Sequence, residues 1–385
     1  MIESYTPAFA AAYSEKAKAD PANPLSWYAR AEECLNSGDL DGWRSTIAVA
    51  LTMPHETPQQ QWTRAWAQLA LGDWAGWTSY EARWAYADDR ASRTTVDDWV
   101  RWTHRAWDGV EDLTDKTILV LSEQGIGDNV QMLRFLAPLA DRAKSVMAMV
   151  YPRLVPLVQS SFGDRVTVMI QGVDKPFAFD RYARIMSLPH LFGQLPPFSP
   201  LRPPGRRSRL PGHSGRIRAG ICWAGNPLYA NDEQRSIASA FLAPLLARTD
   251  IEWHSLQVGK NAIDADRYPS MIRPWPPLVN LGDTADVIAQ LDVVVAVDTA
   301  VAHLAGCLGV RTYLLLPLNP DFRWGLGDDT PWYPSMRLLR QSVAGDWASV
   351  VVRLQSLLDQ LTPSPDAIIA SDDADLPRPA LSGTV

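Results

Sequence analysis

The stretch Thr117-Ile-Leu-Val-Leu-Ser-Glu-Gln-Gly-Ile-Gly-Asp-Asn129 limits the fold more than any other part of the chain. An apolar, β-prone run from Thr117 to Leu121 leads into a loop with Gly125 and Gly127, then into the helix-like segment Val130 to Ala140. A strand, a glycine turn and a helix start in that order predict a parallel α/β unit. The two glycines let the backbone turn sharply and approach a ligand with no Cβ in the way, and the new helix offers free N–H groups. Asp128 is expected to cap that helix and to face the cleft above the sheet. A capped strand-to-helix turn occurs in most α/β proteins, so a second stretch is needed before function is argued. Asp298-Thr-Ala-Val-Ala-His-Leu-Ala-Gly306 supplies it, directly after the wholly apolar Val293 to Val297, the mark of a strand covered on both faces.

Alternation extends in both directions from these anchors. Strands are expected at 117–121, 145–150 and 165–170, then at 217–223, 251–257, 293–297 and 312–316, with helices at 154–160, 238–247, 284–291, 301–308 and 347–361. Residues 196–215 are rich in Pro, Gly, Arg and Ser and mark a boundary. With 385 residues there is room for more than one core. The expected organisation is a helical region over 1–110, a first Rossmann-like domain over 111–205, a second over 206–362, and a disordered tail over 363–385. Within the helical region Gly38-Asp39 recurs 34 residues on as Gly72-Asp73, and Ala31, Leu35 and Trp43 recur as Ala65, Leu69 and Trp77. That period is the tetratricopeptide one, so about two degenerate helix-pair repeats are expected. Trp62, Trp66, Trp74, Trp77 and Trp84 are read as packing on the next domain, with a peptide-binding groove as the alternative.

Composition excludes several classes. A net charge of −7 argues against a nucleic-acid footprint, and the basic cluster between Arg202 and Arg218 reads as linker. Cys34, Cys222 and Cys307 are too far apart for a C-x-x-C pair, so neither a disulfide framework nor a structural zinc is expected. No run approaches the apolar length of a membrane span, and a soluble cytoplasmic protein is inferred.

Gln124-Gly-Ile-Gly-Asp-Asn129 together with Asp298 to Gly306 resembles the bacterial heptosyltransferase superfamily, glycosyltransferase family nine. The tetratricopeptide-containing glycosyltransferases related to it are more similar still, through Ile221-Cys-Trp-Ala-Gly-Asn-Pro227, Arg235-Ser-Ile237 and the run from Trp324 to Gln341 with Trp332-Tyr333-Pro334. The resemblance implies the two-domain fold called GT-B and sugar transfer from a nucleotide-diphosphate donor to a protein or glycan hydroxyl, metal-independent and inverting. It implies that Asp128 is the base. Arg235 and the amides of Thr299 and Ala300 would meet the charge of the diphosphate leaving group, and Asp298 would hold donor-sugar hydroxyls. His303 would either approach the phosphates or pack. Gln257 would stand beside the nucleotide base, and Asn226 and Asn231 would cap their loop or touch the donor. No cofactor and no metal are implied. Asp39-Leu-Asp41 and Asp264-Ala-Asp266 have the look of a metal-dependent sugar-transfer motif, but lie in a repeat turn and a loop. Two departures bear on the donor: Ala300 stands where heptosyltransferases have Gly, and Arg235 where they have Lys. Ser187-Leu188-Pro189 turns toward the cleft or merely bends the chain. A catalytically idle scaffold that binds a partner through its helical repeats is the alternative. A dinucleotide oxidoreductase is disfavoured, because the first turn is G-x-G-D.

Overall fold

The computed structural model describes residues 20–86, 105–176, 178–205, 210, 215–229, 231–274 and 276–362. The expected tail at 363–385 and part of the boundary at 196–215 lie outside the described residues, as do residues 87–104 of the helical region.

Two all-parallel sheets form the body. The first has strands β1 (Thr117–Leu121), β2 (Ser145–Val150), β3 (Val166–Ile170) and β4 (Arg181–Arg184) in the order β3-β2-β1-β4. The second has β5 (Ile217–Cys222), β6 (Ile251–Ser255), β7 (Val293–Val297), β8 (Thr312–Leu316) and β9 (Met336–Arg340) in the order β6-β5-β7-β8-β9. β1 and β7, the strands that anchored the sequence reading, are both interior. β7 is buried along its whole length, as a strand with helices on both faces must be. β4 and β9 were not foreseen. Both are edge strands carrying arginines: β9 pairs with β8 alone, and β4 pairs with β1 and, through a single bridge at Tyr182, with Ala106. The helix expected at 238–247 is instead a 3₁₀ turn at Ser239–Leu242 followed by the short helix Ala243–Leu246, which starts over at Pro244.

Ahead of the sheets, helix Pro24–Asn36 pairs with Leu40–Thr52, and Pro58–Ala70 is followed by the short helix Gly76–Tyr80. The two turns are the same in detail. Asp39 and Gly38 N–H groups donate to the Cys34 and Leu35 carbonyls, and 34 residues on Asp73 and Gly72 donate to Gln68 and Leu69. This is a Schellman stop, and both glycines take the left-handed conformation it needs (φ +80° and +78°). The second pair's short helix stops at Tyr80, and a further one, Arg83–Tyr86, stays against Pro58–Ala70 while its Arg83 docks on Glu123 and Ser187 at the first sheet. Asp39 caps Leu40–Thr52 by accepting from the Gly42 N–H, and Asp264 accepts from the Ser239 hydroxyl; each D-x-D pair is used locally.

A continuous apolar cluster joins these parts, running from Trp62 and Trp77 through Ile118 and Leu136 to Ala302 and Trp332. Phe322 is clamped by Trp66, Trp77 and Tyr80 at ring-centroid distances of 4.8, 6.1 and 5.8 Å, and Trp332 by Trp74 and Trp77 at 6.1 and 6.0 Å. Aromatic pairs of this kind add about 0.5–1.5 kcal/mol each beyond their buried area. The tryptophans pack on both units: Trp66, Trp74 and Trp77 meet the loop between β8 and β9 of the second sheet, while on the unit that follows them in sequence Trp74 donates to the Pro189 carbonyl at 3.2 Å and Trp84 lies under Arg184 at 3.6 Å. No helix among the described residues is long and apolar enough to cross a membrane.

Candidate active site

The loops that leave the C-terminal ends of β1, β4, β5, β7 and β8 converge, which is where open parallel sheets bind ligands. The turn after β1 differs from the expected one. Helix Ile126–Met132 begins before Val130, with Gly125 as its cap residue, so Asp128 lies in the first turn. Its Oδ2 accepts from the Gly125 N–H at 2.8 Å. The sharp bend is made by Gln124, which has φ +59° and is the one non-glycine residue in the left-handed region among the described residues. Such strain costs on the order of 1 kcal/mol and persists where the surroundings over-determine it. Two tyrosines do so here: Tyr151 donates to the Gln124 carbonyl at 2.8 Å, and Tyr80, from the helical region, donates to its Oε1 at 3.0 Å. Asn129, fully buried, ties the turn together by donating to the carbonyls of Glu123 and Gly125.

Gly127 has a role other than making room for a ligand. A Cβ there would lie 3.0 Å from His303 Cδ2 and 3.4 Å from Ala300 Cα, so the two lobes touch at this glycine. Helix Ala300–Cys307 opens opposite it with Thr299 as cap residue. The Thr299 side chain points back, donating to the Val297 carbonyl, so the helix's opening amides are left without a side-chain cap. By helix geometry the free amides are those of Ala300 and Val301, one position later than expected.

Arg323, which the sequence reading left unassigned in the loop after β8, joins the lobes. Its Nη2 forms an ion pair with Asp128 Oδ1 at 2.7 Å, while its Nη1 donates to Asp321 Oδ1 at 2.8 Å and its Nε to Gln131 Oε1 at 3.1 Å. Burial opposes its charge, but Asp128 and Asp321 outweigh burial and hold the guanidinium above its ordinary pKa. Asp298 ends β7 in the same cluster; burial and then Asp321 push its pKa up, against the pull of Arg235 and Arg323. Arg235 pairs with Asp232 at 3.0 Å and lies over the Tyr229 ring at 4.4 Å.

Gln257 is committed to backbone: its Oε1 accepts from the Trp223 and Ala224 N–H groups, and its Nε2 donates to the Ala224 and Val258 carbonyls. It clamps the loop after β5. Asn226 Oδ1 accepts from the Leu228 N–H, an Asx turn. Asn231 precedes the short helix Asp232–Arg235 as its cap residue. Ser187 donates to Glu81 and accepts from Arg83, both of the helical region.

His303 is buried between Trp324, on which it stacks at 5.0 Å, and Tyr333, whose hydroxyl lies 2.8 Å from its Nδ1. Its Nε2 is 3.9 Å from Asp298 Oδ1. Burial and then Arg323 push its pKa from 6.5 down to about 4, so at neutral pH the ring is uncharged and cannot act as a phosphate-binding cation. Because the unfolded chain takes up this proton near 6.5 and the native protein only near 4, acid favours unfolding between those values, by up to about 1.4 kcal/mol per pH unit. Asp298, raised, works in the opposite sense. The difference between parent and His303→Gln isolates the histidine: on going from pH 7 to pH 5 the parent should lose roughly 2 kcal/mol more stability than the variant in urea titrations. Parallel losses in the two proteins would show that His303 is not the group titrating.

No protein-family model matches the chain. Protein FlbA of Caulobacter vibrioides is 24% identical over 383 residues, covering 90% of this chain and 63% of that protein, so the chain spans less than two thirds of that relative's length. Among solved structures, the glycosyl transferase family 9 protein from Veillonella parvula is similar with a TM-score of 0.45 and 11% identity, covering 66% of this chain and 92% of that one. The heptosyltransferase WaaC of E. coli, solved with ADP-2-deoxy-2-fluoro heptose, is similar with a TM-score of 0.43 and 11% identity, covering 63% and 99%. These are likenesses in the course of the chain, and the chemistry has to be argued from the side chains.

Proposed function

We propose that this protein is a glycosyltransferase of GT-B type, moving a sugar from a nucleoside-diphosphate donor to a protein or glycan hydroxyl with inversion and without a metal. The observation that carries the reading is the convergence on one interlobe seam of Asp128 with Arg235, Arg323, Asp298 and the helix opening at Ala300. A sugar hydroxyl is a poor nucleophile. Asp128 takes its proton as the oxygen attacks the anomeric carbon from the face opposite the leaving group. The bond from that carbon to the diphosphate oxygen breaks, and the electron pair leaves with the nucleoside diphosphate. Arg235 and the Ala300 and Val301 amides are fixed donors for the charge that develops there. Asp298, facing the cleft from β7, accepts from donor-sugar hydroxyls, and His303 contributes as a neutral ring. Gln257 and Asn226 act on the donor through the loop they shape. The helical hairpins, read as tetratricopeptide-like, would position the acceptor.

A second reading, an inactive scaffold, is favoured by one feature: Asp128 is paired with Arg323, and Gly127 packs directly on Ala300 and His303. Incubation with a panel of nucleoside-diphosphate sugars in excess EDTA separates the two. Transfer, or slow donor hydrolysis when no acceptor is present, should persist in EDTA. Activity lost in EDTA and restored by Mg²⁺ or Mn²⁺ would overturn the metal-free mechanism. Absence of both activity and nucleotide-induced thermal stabilisation would favour the scaffold; a ligand at 100 times its Kd should add roughly 2.7 kcal/mol.

A further inference from the structure

Of its two carboxylate partners, Arg323 has one that travels with it and one that does not. Asp321 is on the same turn, whereas Asp128 belongs to the opposite lobe. The turn itself is anchored through Phe322 to Trp66, Trp77 and Tyr80 of the helical region, so Arg323 stays in place when Asp128 is withdrawn. Charge in the cluster is unfavourable for an anion as it stands. Asp128, Asp298 and Asp321 face Arg235 and Arg323, and Arg235 is further tied to Asp232. A diphosphate entering this seam needs a cation released from a carboxylate. Asp128 has the converse need: its Oδ1 is occupied by Arg323 and its Oδ2 accepts from the Gly125 N–H, so an acceptor hydroxyl can reach the carboxylate only where Arg323 gives way.

One exchange meets both needs. Resting on the donor-binding reading above, we infer that Arg323 binds the donor diphosphate, its Nη2 leaving Asp128 for a phosphate oxygen, and that this exchange frees Asp128 to act as base. The donor must then bind before the acceptor hydroxyl can be deprotonated. Arg323 is thus a binding residue that also sets the order of events, while Asp321 holds it in place throughout.

The test is calorimetric titration of the full-length protein with ADP, GDP, UDP and CDP, for the parent, Asp128→Asn, Arg323→Gln and the double variant, each checked for folding by circular dichroism. For whichever diphosphate the parent binds, Arg323→Gln should weaken binding about tenfold or more. Asp128→Asn should tighten it, by roughly threefold to tenfold, because the competing partner is gone, and that gain should vanish when Arg323 is already Gln. Asp128→Asn leaving the Kd unchanged or weaker overturns the exchange, and this arm decides alone if Arg323→Gln does not fold. Equal tightening in both backgrounds also overturns it, since that is charge repulsion acting without Arg323. A parent that binds none of the four nucleotides removes the donor-binding reading, and the exchange with it.

Discussion

Asp128→Asn is expected to fold, to bind nucleoside diphosphate at least as tightly as the parent, with the gain set by the exchange above, and to turn over slower by a factor on the order of 10² or more. Asparagine is nearly isosteric with aspartate, and its amide oxygen can accept either from the Gly125 N–H or from Arg323, so the turn after β1 keeps a partner. What it loses is the capacity to take a proton. A steady-state assay with saturating donor and acceptor reads the effect in kcat, since proton removal belongs to the transition state and not to substrate binding. Parental kcat in the variant would reduce Asp128 to a helix-terminus residue that closes the Gly125 turn. Lower stability with unchanged kcat would make the same point from the other side.

The sequence showed the interior strands because they are buried on both faces and so read as unbroken apolar runs; β7 at Val293–Val297 was placed to the residue. It did not show β4 and β9, whose edge positions admit Arg181, Arg184, Arg337 and Arg340. Asp128, Asp298 and the helix after β7 were visible because motif spacing along one strand–turn–helix is local. Arg323 was not, because its meaning comes from Asp128 and Gln131 in the other lobe, and no local spacing encodes that. The same holds for Gln124, whose left-handed backbone depends on Tyr80 and Tyr151, and for Gln257, whose amide is spent on backbone it could not be seen to approach. Glycine was the natural candidate for the bend after β1. The pair of tyrosine hydrogen bonds allows glutamine to take it instead, and leaves Gly127 to let the lobes meet.

The helical region is tied to this turn by a buried ion pair, and removing it should cost as much as any substitution in the molecule. Arg83 is 2% exposed and donates to Glu123 at 2.9 Å, to Glu81 at 2.6 Å and to Ser187 at 2.8 Å. Glu123 also accepts from the Met186 N–H after β4 and directly precedes the strained Gln124. Arg83→Met leaves the Glu123 carboxylate buried without a counter-charge, which costs on the order of 3–5 kcal/mol. Methionine fills much of the same volume beside Trp84 and Tyr80, so a cavity is a minor part of that loss. Urea denaturation should show the single variant strongly destabilised, and Arg83→Met with Glu123→Gln recovering at least half of the loss, because the neutral amide needs no cation and can still accept from Met186. The double variant, refolded, should still turn over more slowly than the parent: the helical region then holds the Gln124 bend through Tyr80 alone. A helical region that were only a tethered partner-binding module would give a different result, with Arg83→Met costing less than about 1 kcal/mol, as for an exposed pair.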